Sequence, residues 1–444
     1  MENYLFEKMP VPKAYMKLAL PVVLSMIVSL VYNMVDTYFI ALTGVQELVA
    51  GVSLAPMFTL MIAFGDIFGL GGSSAISRLL GEKKDNEAKK TCAFCIWISL
   101  VFGLCISAIL LLFRTQILGL LGVGKDTYQY ANAYYTWIAI GAVSIIFSMV
   151  PSNILRTEGL AVQSMAGSII GSIVNIIFDP IFIFGLNQGA AGAAMATVLG
   201  NIIADIYYVY AVMKKSKRLT CSPSHMKVTG RRIRDILMIG IPASITNIMQ
   251  TFMMVMTNNF LLPYGTDKVA AMGIALKVNM ITALVLVGFA FGGQPLVGYN
   301  YGAKNEKRLK NILKFAYLFE MGLGLLFTIL MCIFAPQIIK VFMDKPDIIT
   351  NGAMMLRFQQ IGMTFMSVSL ISTCVCQAVG NAGGAFVLSI SRQGVIYVLA
   401  LFIMSNVFGY TGVLVSQACS DVVTALIAAV IMLKIMKKLT NKNE

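Results

Sequence analysis

The residues best suited to chemistry in this 444-residue chain are carboxylic acids set in apolar surroundings. Six stand inside long hydrophobic runs: Asp36, Asp66, Asp179, Asp205, Glu320 and Asp421. An ionisable side chain costs a few kcal/mol or more in hydrocarbon, so each needs a partner or a water-filled path. Asp179 lies in NIIFDP, four residues after Asn175, and that spacing stacks both side chains on one helix face. Pro180 follows at once and leaves the carbonyl of Ile176 without its helical donor. A carboxylate, an amide and a freed carbonyl on one patch suit a proton or a small hard cation such as sodium. The alternative for the same residues is an interhelical hydrogen bond beside a kink. Asp36, in YNMVD, stands four residues after Tyr32. A desolvated carboxylate near a second one is suited to carrying protons, whereas a structurally paired acid is the plainer reading.

The remaining candidates carry less. Asp66, in the glycine-dense FGDIFGLGGSS, divides evenly between a substrate path and structural pairing. Asp205, Glu320 and Asp421 have no local polar pattern, and pairing with the intramembrane cations Lys277 or Arg392 is as good an explanation as function. Met249, Met253 and Met256 recur at helical spacing. Ordinary packing explains them, and the sharper alternative is a soft, repackable wall for flat apolar ligands. Gly69, Gly71 and Gly72 are not a phosphate loop, since no strand precedes them and no Lys-Ser/Thr follows; they predict close helix packing. A lone Cys92-x-x-Cys95 pair and a single histidine, His225, leave no metal cluster or histidine-based triad to build. No cofactor is expected beyond a coupling ion.

These acids must be held by membrane-spanning helices. Hydrophobic residues make up 58% of the chain and charged ones 12%, with a mean hydropathy of +0.80; soluble domains carry about a quarter charged residues. The apolar runs reach the ~20 residues needed to cross ~30 Å of hydrocarbon. Twelve spans are predicted, near 14–40, 51–77, 91–113, 132–154, 164–184, 191–213, 236–262, 269–298, 312–334, 354–378, 385–406 and 413–436. The net charge of +14 does not indicate nucleic acid, because the basic residues lie in short loops between spans. With both termini inside, 26 of the 34 Lys and Arg fall on the cytoplasmic side, while Arg114, Lys125, Lys268, Lys340, Lys345 and Arg357 fall outside. The first apolar run reaches membrane length without a cleavage pattern, so it is expected to remain as span 1.

The polar stretch 214–235 holds eight basic residues and one acid, and reads as a linker between lobes 1–213 and 236–444. Sliding the sequence over itself supports that division. At an offset of 221, Pro21 meets Pro242, Gly44 meets Gly265, Gly71 and Gly72 meet Gly292 and Gly293, Lys83 meets Lys304 and Gly159 meets Gly380. The register then slips by one, so that Gly192 meets Gly412. Six spans per repeat make the two lobes parallel, the arrangement of many transporters. Asp36 meets Thr257 and Asp179 meets Ala400, so these acids are not demanded by the shared scaffold.

The opening ALPVVLSMIVSLVYNMVDTYFI, its counterpart GIPASITNIMQ, the pair LGEKKDNEA and YGAKNEKRL, the RTEG at Arg156–Gly159 and the SRQ at Ser391–Gln393 together resemble the multidrug and toxic compound extrusion (MATE) family over nearly the whole chain. The resemblance is to the DinF-like branch. It implies an all-α polytopic fold of twelve helices in two parallel six-helix lobes around a central cleft. It further implies a coupling cluster of Asp36, Asn175, Asp179 and Thr197, and bending of the first helix at Pro21. Pro180 is the second candidate for a bend, and Tyr32, Asp66 and the three methionines are candidates for the substrate cleft. The other well-known branch uses acids in helices 7 and 10, and here neither span contains one.

The expected function is a secondary antiporter of the cell's inner membrane. It would export organic cations or amphipathic drugs against protons or sodium, as a functional monomer in the bilayer, with no enzymatic activity and no nucleic-acid partner. A lipid-linked oligosaccharide flippase is the alternative, which would want a cationic cavity built from residues such as Lys277 and Arg392. An intramembrane aspartyl protease using Asp36 and Asp66 lacks the usual Gly-x-Gly-Asp.

Overall fold

The computed structural model describes residues 4–44, 54–121 and 123–440. Spans α1 to α6 are Val11–Thr43, Ala55–Gly81, Asp85–Leu112, Tyr128–Thr157, Ala161–Pro180 and Gly189–Lys214. Then come α7 (Gly230–Leu261), α8 (Thr266–Gly302) and α9 (Glu306–Ile333). Span α10 is broken into Pro346–Ile361 and Met363–Val379, bent by 41°. The last apolar stretch, Ala382–Lys437, is 56 residues long. At 1.5 Å per residue a continuous helix of that length would extend about 84 Å, far beyond a bilayer. Gly409, at φ 55° and ψ −128°, divides it, giving α11 over 382–408 and α12 over 410–440. Twelve spans are therefore present among the described residues, as the hydropathy pattern predicts.

The two repeats copy one another down to backbone detail. Span α2 ends at Gly81 and α8 at Gly302, α3 begins at Asp85 and α9 at Glu306, and short helices begin at Arg114 and Ala335, all 221 apart. Lys83 and Lys304 take left-handed φ values of 60° and 54°, and Gly159 and Gly380 take 87° and 79°. Even the closing hydrogen bonds recur: Lys84 N–H donates to Leu79 O at 2.9 Å, and Asn305 N–H to Asn300 O at 3.0 Å.

Two compact units result, one built from Leu24–Asn247 and the other from Phe6–Val23 with Ile248–Glu444. They differ from halves cut at the 214–235 linker, which itself goes with the first unit. The first turns of α1 belong with the second repeat, and those of α7 with the first. The glycines explain this. Tyr15 on α1 packs on Gly293 of α8 and donates its hydroxyl to Phe289 O at 3.0 Å. At the equivalent place in the other unit, Ile236 of α7 lies against Gly71 of α2. A methyl group at either glycine would collide with the neighbour. The paired glycines are thus helix-packing sites, as expected, since small residues let helices approach closely.

The linker is tied down within the first unit. Glu158, in the RTEG segment, accepts from the Ser216 hydroxyl and from the backbone N–H groups of Lys217 (2.8 Å) and Arg218 (2.9 Å). Arg218 reaches Asp85 at 3.4 Å, and Trp97 Nε1 donates to Cys221 O at 2.9 Å.

Candidate functional site

Within the first unit, α5 and α6 pack together and bring Asn175, Asp179 and Thr197 into one buried patch. Exposure is 2% for Asn175, 0% for Asp179 and 7% for Thr197. In the amide orientation that satisfies both neighbours, Asn175 Nδ2 donates to Asp179 Oδ2 at 3.3 Å. Its Oδ1 then accepts from the hydroxyl and the backbone N–H of Thr197, each at 3.1 Å. Asp36 of α1 completes the group through a side-chain hydrogen bond with Asp179. An ionised carboxylate is acceptor-only, so two carboxyls can bond directly only when a proton lies between them. One oxygen of each, Oδ1, remains buried without a partner among the described residues. The arrangement offers a small cation several oxygens at once and lets a proton bridge the two acids.

The local sequence explains the geometry. Pro180 has no N–H, and the α-helical run of α5 ends on it, followed by a wider π turn over Ile181–Gly185. Asp179 therefore stands at a change of helical winding. Tyr32 interacts with Asp36 and lines a cavity of about 180 Å³ together with Ser29, Asn33, Asn175, Thr197 and Asn201. Tyr134 of α4 lies within electrostatic reach of both acids. Tyr134 and Asn201 carry no local signal in the sequence, because neither shares a helix turn with an acid of the pair.

The other candidates fall elsewhere. Asp66 accepts from Asn247 Nδ2 at 2.9 Å and interacts with Arg156, apart from the pair. Met253 is buried in the core of the second unit and Met256 packs against that core. Met249 lies against Gly394, where α11 leaves helical geometry. Arg392 pairs with Asp421 at 3.3 Å, while Lys277 is exposed. Of the two cations a flippase reading would draw on, Arg392 is thereby neutralised. Glu320 is fully buried, and neither of its oxygens has a partner among the described residues. At the repeat position of Asp36, Thr257 exchanges a 2.5 Å hydrogen bond with the buried Tyr397 hydroxyl, a neutral packing contact.

The MatE family model matches residues 21–181 and again 242–403, two copies whose starts are the prolines 221 residues apart. The chain belongs to the MATE family. It is similar to the multidrug export protein MepA of Staphylococcus haemolyticus, with 30% identity over 98% of this chain and 96% of that protein. MepA of Staphylococcus aureus is likewise 30% identical, over 98% and 97%. Among solved structures, a MATE protein in the straight conformation matches with a TM-score of 0.92 at 25% identity over 99% of both chains. An outward-facing multidrug resistance MATE transporter matches with a TM-score of 0.93 at 24% identity, over 99% of this chain and 98% of that one. This MATE chain is a multi-pass membrane transporter with the two-lobe fold, and not an enzyme; the protease alternative is set aside.

Proposed function

We propose that this MATE chain exports organic cations or amphipathic drugs across the cell membrane in exchange for protons or sodium, with coupling in the first unit as in the DinF-like branch. The observation that carries the reading is the Asp36–Asp179 contact braced by Asn175 and Thr197, two acids with unpartnered oxygens and no cation beside them among the described residues. The multidrug export relatives support the cargo class.

Drug and coupling ion compete for the same negative charge. An ion that enters the pair neutralises it and removes its attraction for a cation, shifting the balance between inward-open and outward-open states by differential affinity. A membrane potential of ~100 mV adds only ~2.3 kcal/mol per charge moved, so tight drug binding has to be released mainly by the ion. Pro21, which cannot donate to the carbonyl of Lys17, is the place where α1 bends as this happens. The protein works as a monomer with both termini in the cytoplasm.

The test is efflux of a fluorescent cationic drug from cells or proteoliposomes. Asp36→Asn and Asp179→Asn are each expected to abolish ion-driven export, and near-normal export by both variants would refute the reading. Imposing a pH gradient against a sodium gradient identifies the ion.

A further inference from the structure

Asp205 lies on α6 eight residues beyond Thr197, and Thr197, Asn201 and Asp205 follow one another at four-residue steps on a single face. At ~1.5 Å per residue that places Asp205 about 12 Å along the axis from the coupling cluster, toward the Lys214 end. Its carboxylate accepts two hydroxyl hydrogen bonds from the neighbouring helix α4, from Ser144 at 2.5 Å and Ser148 at 2.6 Å. Asn201 donates through Nδ2 to the Thr197 carbonyl at 2.8 Å, and its Oδ1 lies 3.4 Å from the Ser148 hydroxyl. Ser148, Asn175, Thr197 and Asn201 all line the cavity of about 180 Å³. At ~30 Å³ per molecule such a space holds about six waters. Asn175 and Thr197 of the cluster and Ser148, which holds Asp205, thus edge the same chamber from different depths, inside one compact unit.

We propose that Asp205, held by Ser144 and Ser148, is a second station for the coupling cation, exchanging it with the Asp36–Asp179 pair through this chamber. The inference rests on the coupling role proposed for that pair. Two features favour a station over a structural tether. The hydroxyls that hold Asp205 come from a helix whose Ser148 also borders the chamber, and a tether alone does not require a cavity that Asn175, Thr197 and Asn201 edge with polar side chains between the two acid sites. The other titratable groups nearby are few. Tyr208 on the same helix interacts with Asp205, Arg156 on α4 interacts with Tyr208, and α5 presents Ser168 and Ser172, its sole titratable residue being Asp179. A cation passing from the pair toward the Lys214 end therefore meets Asp205 as the next anionic acceptor along α6.

Infrared difference spectroscopy of the purified protein, titrated with acid in one arm and sodium chloride in the other, reads carboxyl occupancy directly. The wild type is expected to show two separable carboxyl responses to the same cation. Asp205→Asn removes one and keeps the response of the pair, whereas Asp179→Asn removes the other. In proteoliposomes, Asp205→Asn is expected to slow drug-driven cation counterflow about 10–100-fold, the scale on which groups beside an ion site commonly tune it. The cation-to-drug ratio stays the same, and Asp205→Glu restores part of the rate. Ser144→Ala/Ser148→Ala keeps the carboxyl but moves its response, and it carries the test if Asp205→Asn does not fold. Unchanged carboxyl responses in Asp205→Asn, or in the double serine variant, overturn the proposal, as does wild-type counterflow in both. Normal export by Asp36→Asn and Asp179→Asn would instead remove the coupling role of the pair, and the infrared response of Asp205 would still report its own occupancy.

Discussion

At the scale of single residues, the protein separates two kinds of buried charge. Asp421 is neutralised by Arg392 and also accepts from Gln417 at 3.1 Å, so it is a structural ion pair. Removing one partner of such a pair leaves an uncompensated buried charge, at a cost of roughly 3–5 kcal/mol. Arg392→Ala is therefore expected to lower the thermal midpoint in detergent sharply, and Arg392→Met with Asp421→Asn to restore most of the loss. Asp36 and Asp179 have no cationic partner among the described residues, only each other and Asn175. Asn175→Leu keeps the volume but removes both the donor to Asp179 and the acceptor for Thr197. It is expected to impair ion-driven efflux about 10-fold or more while leaving yield and monodispersity near wild type, since outer partners commonly tune a site by 10–100-fold. The Asn175–Asp179 half of this group is legible in the sequence as a four-residue spacing. The hydroxyls of Ser144 and Ser148 on Asp205 are not, because they come from another helix and no local pattern records them.

At the scale of helices, close approach decides the packing. A methyl group built on Gly69 would lie 2.8 Å from the Met149 carbonyl, and one on Gly72 would lie 2.7 Å from Cys95 Sγ. Overpacking of this kind costs typically ~1–3 kcal/mol, so Gly69→Leu should unfold at a lower temperature even though its side chain suits a bilayer. The prolines act in the opposite sense. Pro21 and Pro242 lie inside α1 and α7, each a few residues before the point where its helix passes from one compact unit to the other. Pro21→Ala restores a backbone donor and stiffens α1. The expected outcome is an unchanged or raised thermal midpoint with slower drug efflux, and unchanged efflux would show that α1 need not bend there. The prolines and their 221-residue spacing are visible in the sequence, but the exchange of the first turns of α1 and α7 between repeats is not. Hydropathy records that a segment is apolar and not which apolar surface it meets.

At the scale of the whole molecule, the two repeats share a scaffold and differ at the buried acids. The left-handed residues, helix ends and turn hydrogen bonds recur across the repeats, while Asp36 and Asp179 are replaced by Thr257 and Ala400. The basic linker, fastened by Glu158 and Trp97, carries the charge from which a cytoplasmic placement is expected. If it faces the cytoplasm, a membrane-impermeant maleimide will label Ser224→Cys only after the cells are permeabilised. Labelling of intact cells would invert the topology. Ser224 is the right reporter because burial pushes the native Cys221 thiol up to about 11, which leaves little reactive thiolate at neutral pH.

The sequence by itself determined the membrane class, the twelve spans, the internal repeat and the acids worth watching. These follow from hydropathy, spacing along one helix and the cost of charge in hydrocarbon, all of which are local or additive along the chain. Only the tertiary structure decided that Asp36 touches Asp179, that Asp421 is paired while Glu320 has no partner among the described residues, that Met253 is core with Met256 packed against it, and that Ser148, which holds Asp205, borders the chamber edged by Asn175 and Thr197. Each depends on which faces of separate helices meet, and that is set by packing between side chains far apart in sequence.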